Sequence, residues 1–448
     1  MKPARPATVQ ALGVAATLLG LSWSAAAAAY QPCEGLVTHT ERVPVRPVAR
    51  PPYLKRYRDP AFGSTVMRIS DAADGEVFKP AYSTVQAWNA DESLLLLYRS
   101  GERSGHVLLD GHSYAPVAEL DDIVPADIEQ LFWSHTDPDV FFYVSKLSAD
   151  YGQLRRYHVS RRASELVRDF ESVCGPRGLP TAGGDPHMPS LDDDLFGFRC
   201  RTDEGTWMMI SYRISTDELH SAPLGEGTDW EEWSAPQPAP SGERFWMQGK
   251  SLSVDLSRVE AGMDMAVDHE HANLGQSSRG EDVLYQVTFD PAPDGCVDGD
   301  LWQGVGHLTE HTLANGRCRP VVNADDGYPY TTSGTHVSAQ AYRQPGWVAM
   351  SSVGYDQFEW FSNGRRAPVL FSEIYLVNTD PSARTVCRLA QHRSYAKQAK
   401  SANYTPYLGE PHATISPSGT RVLFGSDWYD SGSVDSYVIE LPGYAAPG

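Results

Sequence analysis

Residues 411–427 read PHATISPSGTRVLFGSD. The order is a histidine, a short apolar run, the tight turn Ser-Pro-Ser-Gly, a second apolar run and an acidic stop. Pro417 presets φ for the turn and Gly419 accepts the positive φ that closes it. Two apolar runs joined by such a turn predict a β-hairpin.

Looser copies of the unit recur along the chain. They span residues 86–98 (QAWNADESLLLLY), 130–144 (QLFWSHTDPDVFFYV), 187–199 (HMPSLDDDLFGFR), 233–247 (WSAPQPAPSGERFWM), 271–287 (HANLGQSSRGEDVLYQV) and 336–351 (HVSAQAYRQPGWVAMS). The last copy covers 412–424, and neighbouring copies start about 38 to 76 residues apart. A second strand pair follows most copies, for example 106–109 with 115–120, and 374–377 with 385–389. Four strands per unit of this size is the propeller pattern, and a closed ring leaves no free sheet edge. Helical periodicity is nearly absent.

The sequence therefore predicts an all-β, seven-bladed β-propeller over residues 79–448. Residues 30–78 form an N-terminal segment whose strand 65–69 is placed to close the ring with the last blade. Two β-sandwiches would show a linker, but the Pro-rich run 236–241 lies inside a repeat. A β-helix would repeat more regularly and at shorter intervals.

Residues 1–29 read as a signal peptide. Lys2 and Arg5 make a positive start, ALGVAATLLGL (11–21) an apolar core, and 25–29 a run of alanines. The core is short for a membrane span, and no other apolar run of that length follows. A periplasmic or secreted protein of 419 residues is expected after cleavage, a monomer with no membrane contact. Its net charge of −20 becomes −22 once Lys2 and Arg5 are gone. Such a surface repels nucleic acid. No P-loop, no dinucleotide-binding glycine motif and no G-x-S-x-G elbow is present. All six cysteines follow the signal, which suits disulfides in an oxidising compartment. Fifteen pairings exist, of which Cys174–Cys200 and Cys296–Cys318 would brace neighbouring segments.

Aligned on turn and strand, four copies place a histidine just before the innermost strand: His187, His271, His336 and His412. Gln130 takes that place in the second copy. In a propeller these positions converge beside the central channel. Imidazoles aimed at one space suit a divalent metal, with another serving as acid or base. A buried histidine also bridges strands in a purely structural way. Recurrence in four blades favours a site. His269, two residues before His271 in the pair HEH, falls on the same face of an extended segment. Arg343 reads either as a surface turn residue or as a bidentate carboxylate clamp. The carboxylates of 121–122 and 192–194 read as solvated turn residues, and Trp88 and Trp133 as packing between blades. Asp229, Glu231 and Glu232 precede the fourth inner strand.

The unit SPSGTRVLFGSD (416–427) resembles the repeat of TolB-like propellers. With the histidines ahead of the inner strands, the array is similar to the oligogalacturonate lyase family and, more loosely, to propeller-type ulvan lyases. That resemblance implies a divalent metal (Mn, Ca or Zn), held by His271, His336 and His412. Gln130 matches the family's glutamine ligand in residue type but not in its place along the chain. It and His269 are left as substrate-binding candidates. The resemblance also implies an acidic polysaccharide or oligosaccharide as substrate, cleaved at uronic acids by β-elimination. His187 would be the base and Arg343 the cation on the carboxylate. A non-catalytic periplasmic scaffold and a glycoside hydrolase using paired carboxylates are the alternatives.

Overall fold

The computed structural model describes residue 1 and residues 30–224, 234–263, 271–288, 307–322, 326–328, 334–352, 354, 369–396 and 406–446. The described residues from 32 onward form one compact unit, the propeller. The signal-peptide residues 2–29, His269, Cys296 and the carboxylates 229, 231 and 232 lie outside the described residues.

Seven antiparallel sheets make the seven blades. Blade one runs Val77–Lys79, Leu94–Ser100, Gly105–Asp110 and Pro116–Leu120. Blades two, four, five and six have four strands each, in simple meander order. Blade three shows three, Leu195–Arg201, Trp207–Arg213 and Glu218–Pro223, and its innermost segment adds only an isolated bridge between Thr181 and Arg199. Blade seven holds Thr414–Ile415, Arg421–Ser426 and Asp435–Glu440. Its outer edge is completed by N-terminal strands, because Thr65–Arg68 pairs with Asp435–Glu440 and Arg56–Arg58 pairs with Thr65–Arg68. First and last parts of the chain thus share one sheet, and the outer edge of blade seven is Arg56–Arg58 rather than Asp435–Glu440. The deciding hairpin folds as its turn chemistry requires, with Gly419 at φ 72°.

Apolar faces of adjacent blades pack on one another. Phe142 of blade two meets Phe196 of blade three edge-on, with ring centroids 5.1 Å apart. Trp88 and Trp133 are packing residues: both are buried, and the Trp133 indole N–H donates to the Ala87 carbonyl of blade one at 3.1 Å. Asp193 departs from the solvated turn expected. It is turned inward, accepting the Ser134 and Thr136 hydroxyls and the His135 backbone N–H of blade two. That turn demands acceptors for its own orphan donors, which an inward carboxylate supplies.

Residues 84–88 of blade one bond to several other blades. The Gln86 side-chain amide donates to the Gln340 and Ile415 carbonyls, both at 3.0 Å, while its backbone N–H meets the Met188 sulfur at 3.4 Å. One segment therefore bonds blades three, six and seven. Disulfides Cys174–Cys200 and Cys33–Cys387 are formed. The first is the pair expected from the sequence, and it ties the single-turn helix Glu171–Cys174 to blade three. Cys318 is also disulfide-bonded. Among the described residues no helix is long and apolar enough to cross a membrane.

Candidate functional site

Three of the four aligned histidines converge. The rings of His271 and His336 lie 5.0 Å apart and those of His336 and His412 lie 4.3 Å apart, centroid to centroid. His271 and His412 stand just before the inner strands of blades five and seven, and His336 lies within that of blade six, Gly334–Ser338. His271 and His412 hold left-handed backbones, with φ of 50° and 42°. A non-glycine residue adopts that region at a cost, and such residues gather where a side chain must be aimed.

Glu410, absent from the sequence expectations, completes the group. Its Oε2 lies 3.4 Å from His336 Nε2 and 3.5 Å from His412 Nε2. One ligand atom from each of His336, Glu410 and His412 falls within 4.8 Å of the others. Glu410 stands two residues before His412, and the glutamate of a G-E-P-H string could have been weighed on that spacing.

His336 and Glu410 line a cavity of about 510 Å³ with Tyr82, Gly184, Asp185, His271 and Tyr407, and His412 lies buried behind them. Tyr82 meets the rings of His336 and His412 edge-on at 5.3 and 5.2 Å and stacks with Tyr407 at 6.4 Å. His271 Nδ1 lies 2.7 Å from the Thr335 carbonyl. Donation there fixes the tautomer and leaves the lone pair on Nε2. Burial holds His336 and His412 well below the usual imidazole range, and the neighbouring His271 and Lys79 add to it. Both rings are therefore neutral, as metal ligands must be.

The donor set fits a divalent ion. It combines two imidazoles with a carboxylate, and two buried nitrogens, His336 Nδ1 and His412 Nε2, have no hydrogen-bond partner among the described residues. Lys79 adds a condition. Its Nζ lies 2.8 Å from His412 Nδ1, and burial pushes its ammonium down to about 8. An ammonium donating to Nδ1 keeps the ring proton on Nε2, facing Glu410. The neutral amine instead accepts from Nδ1–H and leaves the Nε2 lone pair for an ion.

The other sequence candidates lie elsewhere. His187 lines a separate small cavity of about 30 Å³ with His135 and Tyr342. Its ring stacks on Trp246 at 5.9 Å, and burial lowers its pKa to about 3. Gln130 is a stitch between blades: its amide donates to the Gly183 carbonyl and accepts the Ala182 N–H, both at 2.8 Å. Arg343 sits in the turn after Gly334–Ser338, at the far end of that strand from its start. There its guanidinium reaches the Ala90 carbonyl and lies 4.0 Å from Glu92, and its backbone N–H bonds the Pro417 carbonyl in the next blade's turn. His187, Gln130 and Arg343 are thus not brought to the large cavity.

No family model and no curated protein matches the sequence. Solved structures do match the fold. An oligogalacturonate lyase in complex with manganese aligns over 87% of this chain and 96% of its own, with a TM-score of 0.58 and 14% identity. An oligogalacturonate lyase from Vibrio parahaemolyticus aligns over 87% and 97%, with a TM-score of 0.59 and 14% identity. The chain has the propeller fold of these proteins.

Proposed function

We propose that this protein is an exported lyase that cleaves uronic-acid-containing glycans by β-elimination at the cavity bounded by His271, His336 and Glu410. The observation behind this reading is the convergence of three histidines and a carboxylate, from three blades, beside one open cavity that His271, His336 and Glu410 line. Solved proteins of the same fold include a lyase in complex with manganese. The disulfides and the signal-like residues 1–29 support export.

In this reading His336, Glu410 and His412 hold a divalent ion. When bound, the ion offsets the charge of the uronate carboxylate and makes the adjacent C5 proton more acidic. His271 accepts that proton on Nε2, with its imidazolium stabilised by the Thr335 carbonyl at Nδ1. The C5–H electron pair becomes the C4–C5 double bond, the C4–O bond breaks, and the departing oxygen takes a proton from solvent. Tyr82 and Tyr407 offer aromatic surface to the sugar rings. The base role thereby moves from His187, the residue expected from sequence, to His271. Arg343 is replaced by the ion as the cation on the carboxylate.

A hydrolase is the second reading, favoured by one observation: Asp185 and Glu410 both line the cavity. Incubation with a panel of polyuronates and Mn²⁺ separates the two. The lyase reading expects an ultraviolet-absorbing unsaturated product, abolished by chelator and lowered at least about a hundredfold in Glu410→Gln and His271→Ala. New reducing ends without that absorbance would establish hydrolysis and end the lyase reading.

A further inference from the structure

We infer that Lys79 is the positioning residue of this site, a clamp from blade one that holds the segment 407–412 and so aims Glu410 and His412. The inference rests on the reading of His336, Glu410 and His412 as one site.

Lys79 ends the inner strand Val77–Lys79 and is 0% exposed. Lys79 can bond three groups in either form: the ammonium donates to all of them, and the neutral amine donates to two carbonyls and accepts from His412 Nδ1–H, which leaves His412 Nε2 for an ion. The three partners all belong to one six-residue stretch: the Tyr407 carbonyl at 3.4 Å, the Glu410 carbonyl at 3.2 Å and His412 Nδ1 at 2.8 Å. The Tyr407 ring adds a cation–π contact, with Nζ 5.3 Å from its centroid. A wholly buried cation is unfavourable unless its partners are fixed, so the same contacts that satisfy Lys79 also hold the stretch in one conformation.

That stretch needs holding. It includes all but the first residue of the single-turn helix Pro406–Gly409, too short to be stable by itself, and the left-handed His412. A second anchor comes from blade two, where Glu129 accepts the Tyr407 hydroxyl at 2.6 Å. Ser394 adds a third, its hydroxyl bonding the Gly409 carbonyl. Lys79 alone among these touches a side chain of the triad. Outer partners of a metal-binding histidine set its ring orientation, and their loss typically weakens binding by about ten- to a hundredfold.

The test compares the full-length protein with Lys79→Met by hydrogen–deuterium exchange without metal and by titration with Mn²⁺. Lys79→Gln, which keeps two donors, serves if the methionine variant does not fold. The clamp expects amide exchange over 407–414 to rise about tenfold or more in Lys79→Met, with blades two to five unchanged. It also expects the Mn²⁺ dissociation constant to rise by about ten- to a hundredfold, with Lys79→Gln intermediate. Unchanged exchange over 407–414 would overturn the inference, as would a lower melting temperature with unaltered Mn²⁺ affinity. If the wild type takes up no Mn²⁺ while exchange over 407–414 still rises in the variant, the clamp stands and the metal reading falls.

Discussion

His187 and His336 begin as equivalent histidines in the sequence, and their surroundings separate them. His336 shares a cavity with Glu410 and His271, whereas His187 stacks on Trp246 in a small enclosed space. Burial lowers the His187 pKa from the usual 6.5 to about 3. A histidine depressed in the folded state stabilises the fold above its unfolded pKa, and that contribution disappears as pH falls toward the folded value. Chemical denaturation of His187→Phe between pH 7 and pH 4 should therefore show a shallower loss of stability than the wild type. Equal slopes would mean the ring is charged or exposed. The residue type was legible in the sequence, but the cavity it faces was not, because that depends on which neighbouring blade closes over it.

At the scale of the strand, the inner edge of the ring is stitched by glutamines. Gln86, Gln130 and Gln237 each bond backbone groups of a neighbouring blade, the last donating to the Ala182 and Asp185 carbonyls and accepting the His187 N–H. Short inner strands leave backbone groups unpaired, and an amide side chain both donates and accepts. Gln130 was legible as an inward-facing amide, yet its type alone does not separate a ligand from a stitch. Close approach of blades is also decided here. A methyl group at Gly197, in Leu195–Arg201, would overlap the Pro236 carbonyl of blade four and crowd the Phe245 ring. Gly197→Ala is expected to destabilise the protein by about 1–3 kcal/mol, read as a lower denaturation midpoint with the same secondary structure.

Over the whole molecule, ring closure decides stability. Thr65–Arg68 docks on the last blade, and the segment before it is fastened by Cys33–Cys387, a link across 354 residues of sequence. The Cys33→Ser/Cys387→Ser double variant is expected to lose about 2–4 kcal/mol of stability. A reducing agent also opens the other disulfides, so it should destabilise the wild type more than the variant, by about the loss that the double substitution causes. Buried ion pairs lie beside the same seam: Arg388 with Glu373 in blade six, and Arg393 with Asp59 of the N-terminal segment. Removing either partner alone would leave an uncompensated buried charge.

The repeat of turn and apolar strand is local chemistry, so residues 411–427 and their copies determined the seven blades by themselves. Hairpin geometry depends on Pro, Gly and alternation within a dozen residues. Three of the four aligned histidines meet for the same reason, since each occupies one place in a repeated unit. Glu410, Lys79 and Tyr82 acquire their place only when blades one, six and seven are brought together. Their contacts join positions more than 300 residues apart, as between Lys79 and His412. Periodicity says nothing about such pairs, because the closure of the ring brings the first blade against the last.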